Sequence, residues 1–341
     1  MIRFDSDYLE GAHPAILQRL METNLEQTAG YGADPYCQAA AEKIRAACEA
    51  PDAAVHFLVG GTQTNTIVIC SLLRPYEGVL CPDSGHINCH EVNAIESTGH
   101  KVLAVPARHG KIRAEDIARA VLAWQNDAAW EHIVKPGMVY ISQPTETGSI
   151  YTKAELTAIR KVCSQYGLPL FIDGARLAAA LAAPGNDLSL PELAKLCDIF
   201  YIGGTKSGAL FGEAVVIPNP GLIDGFRSIQ KQRGGLLAKG RLLGLQFDTL
   251  FTDRLYFRLG EHAVKLAMEL KEGFLKKGYP FWHDSPTNQQ FPILTAEQAA
   301  RLRRDFSFED FGSARQGRRI ARFCTSWAAT EEQVRCLLEK I

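Results

Sequence analysis

The chain has no long apolar run, no paired-cysteine motif and almost no net charge, and each lack excludes something. Among its 341 residues, Lys and Arg number 37 and Asp and Glu 38, for a net charge of −1. No global field therefore draws it to nucleic acid or to an anionic membrane surface. No stretch approaches the ~20 consecutive apolar residues that a bilayer-spanning helix needs. The opening MIRFDSDYLEG carries acids and lacks the apolar centre of a secretory leader, so a cytoplasmic location is expected. Nine cysteines, an odd number, stand at 37, 48, 70, 81, 89, 163, 197, 324 and 336 with no C-x-x-C among them. That usage fits free thiols in a reducing compartment. H-E-x-x-H is missing too. His86 and His90, four apart around Cys89, come nearest to a metal pair, but no carboxylate-rich partner set accompanies them and no metal is expected.

What is present is alternation. Seven short apolar runs (AAVHFLVGG, GVLCP, KVLAVPA, GMVYISQP, LPLFIDGAR, CDIFYIGG and GEAVVIPN) are separated by helical patterns. Among these patterns are GHINCHEVNAIESTG, RAEDIARAVLAWQND and TKAELTAIRKVCSQYG. Thr152 and Glu155 open the last of these as a capping box. Strands apolar throughout and joined by helices predict an α/β fold with a mostly parallel seven-stranded sheet between helices. From about Leu222 the pattern turns to long helices, then to short strands and a closing helix, TEEQVRCLLEKI. The expected division is 1–240, an N-terminal segment and large domain, and 241–341, a linking helix and a small α/β domain.

In open parallel sheets, functional groups gather where strands end. Three strand ends stand out. VGGTQTN, Val59 to Asn65, puts two glycines and a threonine at a helix start, where free N–H groups and the helix dipole suit a phosphate. FIDGAR, Phe171 to Arg176, puts an aspartate after an apolar run, which is costly unless a partner such as a protonated heterocyclic nitrogen pairs with it; taken alone, a helix N-cap or a Mg²⁺ ligand is the alternative. YIGGTKSGAL puts Lys206 at the end of a buried strand among glycines 203, 204 and 208. A P-loop is excluded, because it needs glycine directly before the lysine and another five residues earlier, where Thr205 and Phe200 stand. A G-x-G-x-x-G fingerprint is absent at the first strand–helix turn, which disfavours a nicotinamide enzyme. A lysine desolvated at a strand end has a lowered pKa and can form a Schiff base. A phosphate cradle, a buried aspartate and such a lysine are together what pyridoxal phosphate requires.

With these residues placed, the chain resembles the low-specificity L-threonine aldolases, of the fold type I (aspartate aminotransferase-like) pyridoxal-phosphate superfamily. The likeness runs through FDSDYLEGAHP, GYGADPY, GGTQTN, DSGHINCHE, QPTETGSIY, DGARL, GGTKSGALFGEAVV, RGGLLAKGR and RRIARFCTSW, in that order. It implies pyridoxal 5′-phosphate held as an internal aldimine by Lys206. Asp173 would pair with the ring nitrogen, and Gly61 and Thr62 would hold the phosphate. His86 would stack on the ring and handle the substrate hydroxyl proton, with Arg176 near ring and substrate. Ser6 and Arg322 would clamp the substrate carboxylate, Arg318 and Arg319 competing for the arginine's role. Arg233 and Lys239 resemble groups that reach a neighbouring subunit's phosphate, and Tyr31 lines the site.

Two positions depart from the family pattern. Glu146 and Ser326 stand where histidine is common, so the general base stays open between His86, Glu146 and a water. The implied reaction is retro-aldol cleavage of L-threonine or L-allo-threonine, a small amino acid, to glycine and an aldehyde. Because Lys206 and Asp173 serve other reactions on this fold, β-elimination or transamination is the alternative. Such enzymes build each site at a subunit interface, so a homodimer or homotetramer is expected.

Overall fold

A computed structural model describes residues 1–341, save the side chain of Arg315. The seven apolar runs become one sheet. Its strands are β1 (Ala54–Leu58), β2 (Glu77–Pro82), β3 (Val102–Val105), β4 (Lys135–Ser142), β5 (Leu170–Asp173), β6 (Ile199–Gly203) and β7 (Glu213–Ile217). Across the sheet the order is β1-β7-β6-β5-β4-β2-β3. β7 runs antiparallel to both of its neighbours, and the remaining pairs are parallel. Alternation along the strands sends successive side chains to opposite faces. Ile141, Ile172, Phe200 and Val216 enter the core on one side. Tyr140, Phe171, Tyr201 and Val215 enter the core on the other. Both faces are thus covered, which is why the strands read as unbroken apolar runs.

The helix Lys153–Tyr166 begins as its sequence pattern indicates. Thr152 caps the Glu155 N–H and Glu155 answers on the Thr152 N–H. The stretch 85–99 departs from expectation. It forms only a short helix, His86–Cys89, and a 3-10 turn, Glu96–Thr98. Val92 and Asn93 take positive φ values of 49° and 58°, which no continuous right-handed helix tolerates. The break turns the Glu91 side chain inward, where it meets Asn65 and His86.

Downstream, Arg241–Leu250 packs into the sheet's core through Phe247 and Leu250. Its Gly244 allows a close approach, since a Cβ there would stand 2.4 Å from the Cys37 nitrogen. After a break at Asp253 and Arg254, the helix Leu255–Lys276 leads to a third core. Leu266, Leu270, Phe274, Phe323 and Leu337 build it, and Phe4 joins them from the other end of the chain. Next to Phe4, Ile2–Arg3 pairs in parallel with Phe306–Ser307. The strand Arg319–Cys324 lies between Ile293–Leu294 and Glu309–Ser313. Among the described residues no helix is long and apolar enough to cross a membrane.

Candidate active site

The candidate groups that the sheet carries lie at one edge of it, beyond the carboxyl ends of its parallel strands. Gly60 and Gly61 follow β1, His86 follows β2, Ser142 to Glu146 close β4, Asp173 ends β5, and Lys206 follows β6. β7 starts at this same edge because it runs backwards, and Glu213 is its first residue. A cavity of about 250 Å³ opens there and reaches Gly61, Thr62, Asp173 and Lys206. An outer cleft of about 680 Å³ shares His86, Arg176 and Lys206 with it and extends to Ser6 and Arg322.

Asp173 is held from all sides. Tyr201 on β6 donates its phenol to Oδ1 at 2.5 Å, and Tyr140 on β4 donates to Oδ2 at 2.6 Å. The Asn65 amide reaches Oδ2 at 3.2 Å and the Ala175 N–H reaches Oδ1 at 2.9 Å. The parity of the strands explains the convergence, because Tyr140, Asp173 and Tyr201 share a face with Phe171 between the two tyrosines. Burial pushes both phenols well above their ordinary pKa, and the Asp173 charge adds to it, so both act as donors. The Asp-Gly turn has a local cause. A Cβ on Gly174 would lie 1.9 Å from the Tyr201 carbonyl oxygen, so the next strand can approach only a glycine.

Lys206 sits in a turn fastened to β7. The Gly204 N–H donates to Gly212 O at 2.9 Å and to Glu213 Oε2 at 3.0 Å. The Thr205 hydroxyl donates to Glu213 Oε1 at 2.9 Å. Gly208, at φ 97°, closes the turn where Leu259 leaves no room for a side chain. The Lys206 amine has no ion-pair partner among the described residues; Nζ lies 5.9 Å from the centroid of the Tyr8 ring. Burial lowers its pKa, and the Arg176 charge lowers it further, against the opposing pull of Asp7, Asp173 and Glu213. A lysine in that state supplies more neutral, nucleophilic amine at neutral pH.

His86 is oriented by Glu91. Its Nδ1 lies 2.7 Å from Glu91 Oε1, and the same oxygen accepts the Asn65 amide at 2.8 Å. Asn65 thus ties His86 to Asp173. The His86 backbone N–H donates to Glu146 Oε1 at 2.9 Å, and the Ser142 hydroxyl donates to that oxygen at 2.6 Å. Glu146 Oε2 is buried without a partner. Burial raises the Glu146 pKa, opposed by the Ser142 hydrogen bond.

In the outer cleft, Arg176 grips Asp7 through two contacts, Nε to Oδ2 at 2.6 Å and Nη2 to Oδ1 at 3.0 Å. Asn288 adds a third donor to Asp7 at 2.9 Å. Burial alone would raise the Asp7 pKa, but the Arg176 and Lys206 charges outweigh it and hold it at about 2. The Ser6 hydroxyl and Arg322 Nε are buried atoms without a partner. Arg322 forms an ion pair with Glu309, directly opposite it across two antiparallel strands.

The structure thus gathers Ser6, Gly61, Thr62, His86, Asp173, Arg176, Lys206 and Arg322 around the two connected spaces. Tyr31, Arg233 and Lys239 lie outside them and are exposed. Tyr31 lines a separate groove near Arg227, and Arg233 faces Cys70 and Gly99. Of the competing arginines, Arg318 and Arg319 are exposed, and Arg319 pairs with Asp310. The sequence did not disclose Asn65, Glu91, Tyr140, Tyr201 and Glu213. For the tyrosines a signal existed, since a phenol inside a buried strand needs a polar partner. For Glu91 and Asn65 there was none, because their roles depend on the broken helix.

The donor set suits pyridoxal phosphate. The helix Gly61–Leu72 starts at Gly60 with no side-chain cap, which leaves its first N–H groups free for a phosphate. The Asp173 carboxylate and the unpaired Lys206 amine face the same cavity.

Residues 4–296 match the sequence profile of the beta-eliminating lyase family. The chain is 31% identical to the low specificity L-threonine aldolase of Pseudomonas aeruginosa, over 99% of this chain and 96% of that one. Among solved structures it is 47% identical to a threonine aldolase of Leishmania major, with a TM-score of 0.96, over 99% of this chain and 98% of that one. A double mutant of the Thermus thermophilus aspartate aminotransferase is 16% identical, with a TM-score of 0.73 over 100% of this chain and 90% of that one, and shares the fold.

Proposed function

The chain belongs to the low-specificity L-threonine aldolase family, within the beta-eliminating lyases, and from that premise we propose that it is a pyridoxal-phosphate-dependent carbon–carbon lyase that cleaves L-threonine and L-allo-threonine to glycine and acetaldehyde. The observation that carries this reading is one cavity shared by an unpaired lysine, a buried aspartate fixed by tyrosine donors and an uncapped helix start.

In this reading Lys206 would hold the cofactor through its aldehyde carbon, and its depressed pKa favours a neutral amine. Asp173 would hold the ring nitrogen, and Gly61 and Thr62 the phosphate. When bound, pyridoxal phosphate supplies an electron sink for the pair released from the broken Cα–Cβ bond. The chain's own residues do the rest. The Ser6 hydroxyl and the Arg322 fork bind the substrate carboxylate, and both carry unpartnered buried atoms for the purpose. Holding the carboxylate there fixes which bond at Cα breaks. His86 presents Nε2 to the β-hydroxyl. Glu91 on Nδ1 keeps the proton on that side of the ring and leaves Nε2 as the acceptor. Glu146 holds the His86 backbone and offers a second buried oxygen near the same point. Arg176, fixed by Asp7, adds positive charge beside Lys206.

The protein works, on this reading, as a cytoplasmic homodimer or homotetramer, and the exposed Arg233, Lys239 and Tyr31 serve a neighbouring subunit's site. The test is acetaldehyde release from L-threonine and L-allo-threonine, coupled to alcohol dehydrogenase, with purified protein and added cofactor. Release that vanishes in Lys206→Ala supports the reading. A cofactor-loaded protein that yields ammonia and a keto acid instead would move it to β-elimination.

A further inference from the structure

Arg322 is already engaged, and its engagement has a cost for any incoming carboxylate. A guanidinium offers five N–H donors in a fixed fork, and a bidentate carboxylate takes two adjacent ones. Here Nη2 belongs to the ion pair with Glu309 and also points at Asp5 O, 3.3 Å away. Nη1 reaches Gln289 Oε1 at 3.4 Å, a long contact. Nε is buried with no acceptor. The fork is therefore half-open: Nε lacks an acceptor, but a bidentate carboxylate on that edge also needs Nη2.

The two partners are unequal. The Arg322 side chain is 15% exposed and its strand is fixed by pairing on both sides, whereas the Glu309 side chain is 44% exposed at the mouth of the outer cleft. Strand register places Glu309 directly opposite Arg322, so the carboxylate is held near the guanidinium whether or not they touch. Glu309 can turn to water while Arg322 stays in place.

We propose that Glu309 is a built-in, displaceable counter-ion that occupies Arg322 until an amino-acid carboxylate replaces it, and so sets how selectively the site takes substrate over simple anions. This rests on the assignment of Arg322 to the substrate carboxylate. Glu309 weakens every ligand that must displace it by the same factor. An α-amino acid also brings its amine to the cavity and can be held there while Glu309 stays in place, whereas acetate or formate has the carboxylate alone and binds only once Glu309 has left. Removing the glutamate charge should then tighten both, and the simple anion at least as much. A glutamate that merely aligned the arginine would act in the opposite direction, because its loss would leave the fork less ordered.

The sign of one measurement decides. Glycine binding to the cofactor-loaded protein can be followed by the visible absorbance change, beside steady-state kinetics with L-threonine and inhibition by acetate. Glu309→Gln keeps the size and the exposed location, and circular dichroism checks its fold. A partly exposed ion pair of this kind supports an expected drop of about two- to fivefold in glycine Kd and in KM. kcat should move less than KM, and the acetate inhibition constant should fall at least as far as the glycine Kd. Glu309→Asp should restore part of the difference. An unchanged or weaker glycine Kd in Glu309→Gln overturns the proposal. Arg322→Lys separates it from its premise. If that variant binds glycine as tightly as the unaltered protein, the carboxylate assignment is wrong and the counter-ion role falls with it. If Arg322→Lys weakens glycine while Glu309→Gln does not tighten it, only the counter-ion role fails.

Discussion

The Tyr201 phenol donates to Asp173 Oδ1 at 2.5 Å from the strand that leads directly into the Lys206 turn. The phenol that fixes Asp173 and the lysine that would anchor the cofactor's aldehyde are therefore carried by one rigid element. Replacing Tyr201 by Phe removes one donor from a buried carboxylate while keeping the ring's packing. A hydrogen bond to a charged group is worth about 1.5–3 kcal/mol. Tyr201→Phe should lower stability by that order in urea unfolding and weaken cofactor retention on dialysis. A variant as stable as the parent, with equal retention, would show that Tyr140 and Asn65 suffice.

Lys206→Ala should leave the fold intact and abolish covalent retention. After borohydride treatment and denaturation, the parent should carry the cofactor on a peptide containing Lys206. The variant should carry none. A reduced adduct on any other lysine removes Lys206 from its role.

His86→Phe should slow turnover by about 10²–10⁴, the usual range for a general acid–base group. Glu91→Gln keeps the shape but donates or accepts without charge, so it should slow turnover by a smaller factor and shift the pH–rate profile. The comparison is between the two profiles. If the Glu91→Gln profile overlays the parent's, Glu91 does not act through His86.

Glu213 gives a pH prediction with a definite sign. Burial pushes its carboxyl up to about 8, against the Thr205 hydrogen bond and the Lys206 charge, from an unperturbed 4.5. The folded protein therefore holds this proton more tightly than the unfolded chain. Its contribution to stability is full below pH 4.5 and is lost as pH rises through about 8. Glu213→Gln mimics the protonated group and cannot ionise. Urea unfolding between pH 5 and 9 should show the parent losing stability relative to the variant as pH rises. Parallel curves across that range would mean that Glu213 is ionised in the folded protein.

The scaffold was legible because its signals are local. Each strand is a run of apolar residues, and the Thr152–Glu155 cap is a four-residue pattern that the backbone honours. Lys206, Asp173 and the Gly60–Gly61 start were legible because each breaks a local rule at the end of such a run. The supporting residues were not. Glu91 looks like a helix-surface acid until Val92 and Asn93 turn left-handed and swing it inward. Glu213 opens an ordinary apolar strand, and only the reversed direction of β7 brings it under the lysine turn. The Arg322–Glu309 pair depends on antiparallel register in a part of the chain where the strands are short.

Ile2 and Arg3 find their partners only at Phe306 and Ser307, and Phe4 packs among residues that follow Leu266. During synthesis the first strand leaves the ribosome long before anything exists for it to pair with. Ser6 and Asp7, just beyond it, reach the cleft only after that late pairing. The large sheet can assemble while translation continues, but the side of the site proposed to bind the carboxylate waits for nearly the whole chain. A truncated product would then have Lys206 and the Gly60–Gly61 helix start without the proposed substrate clamp.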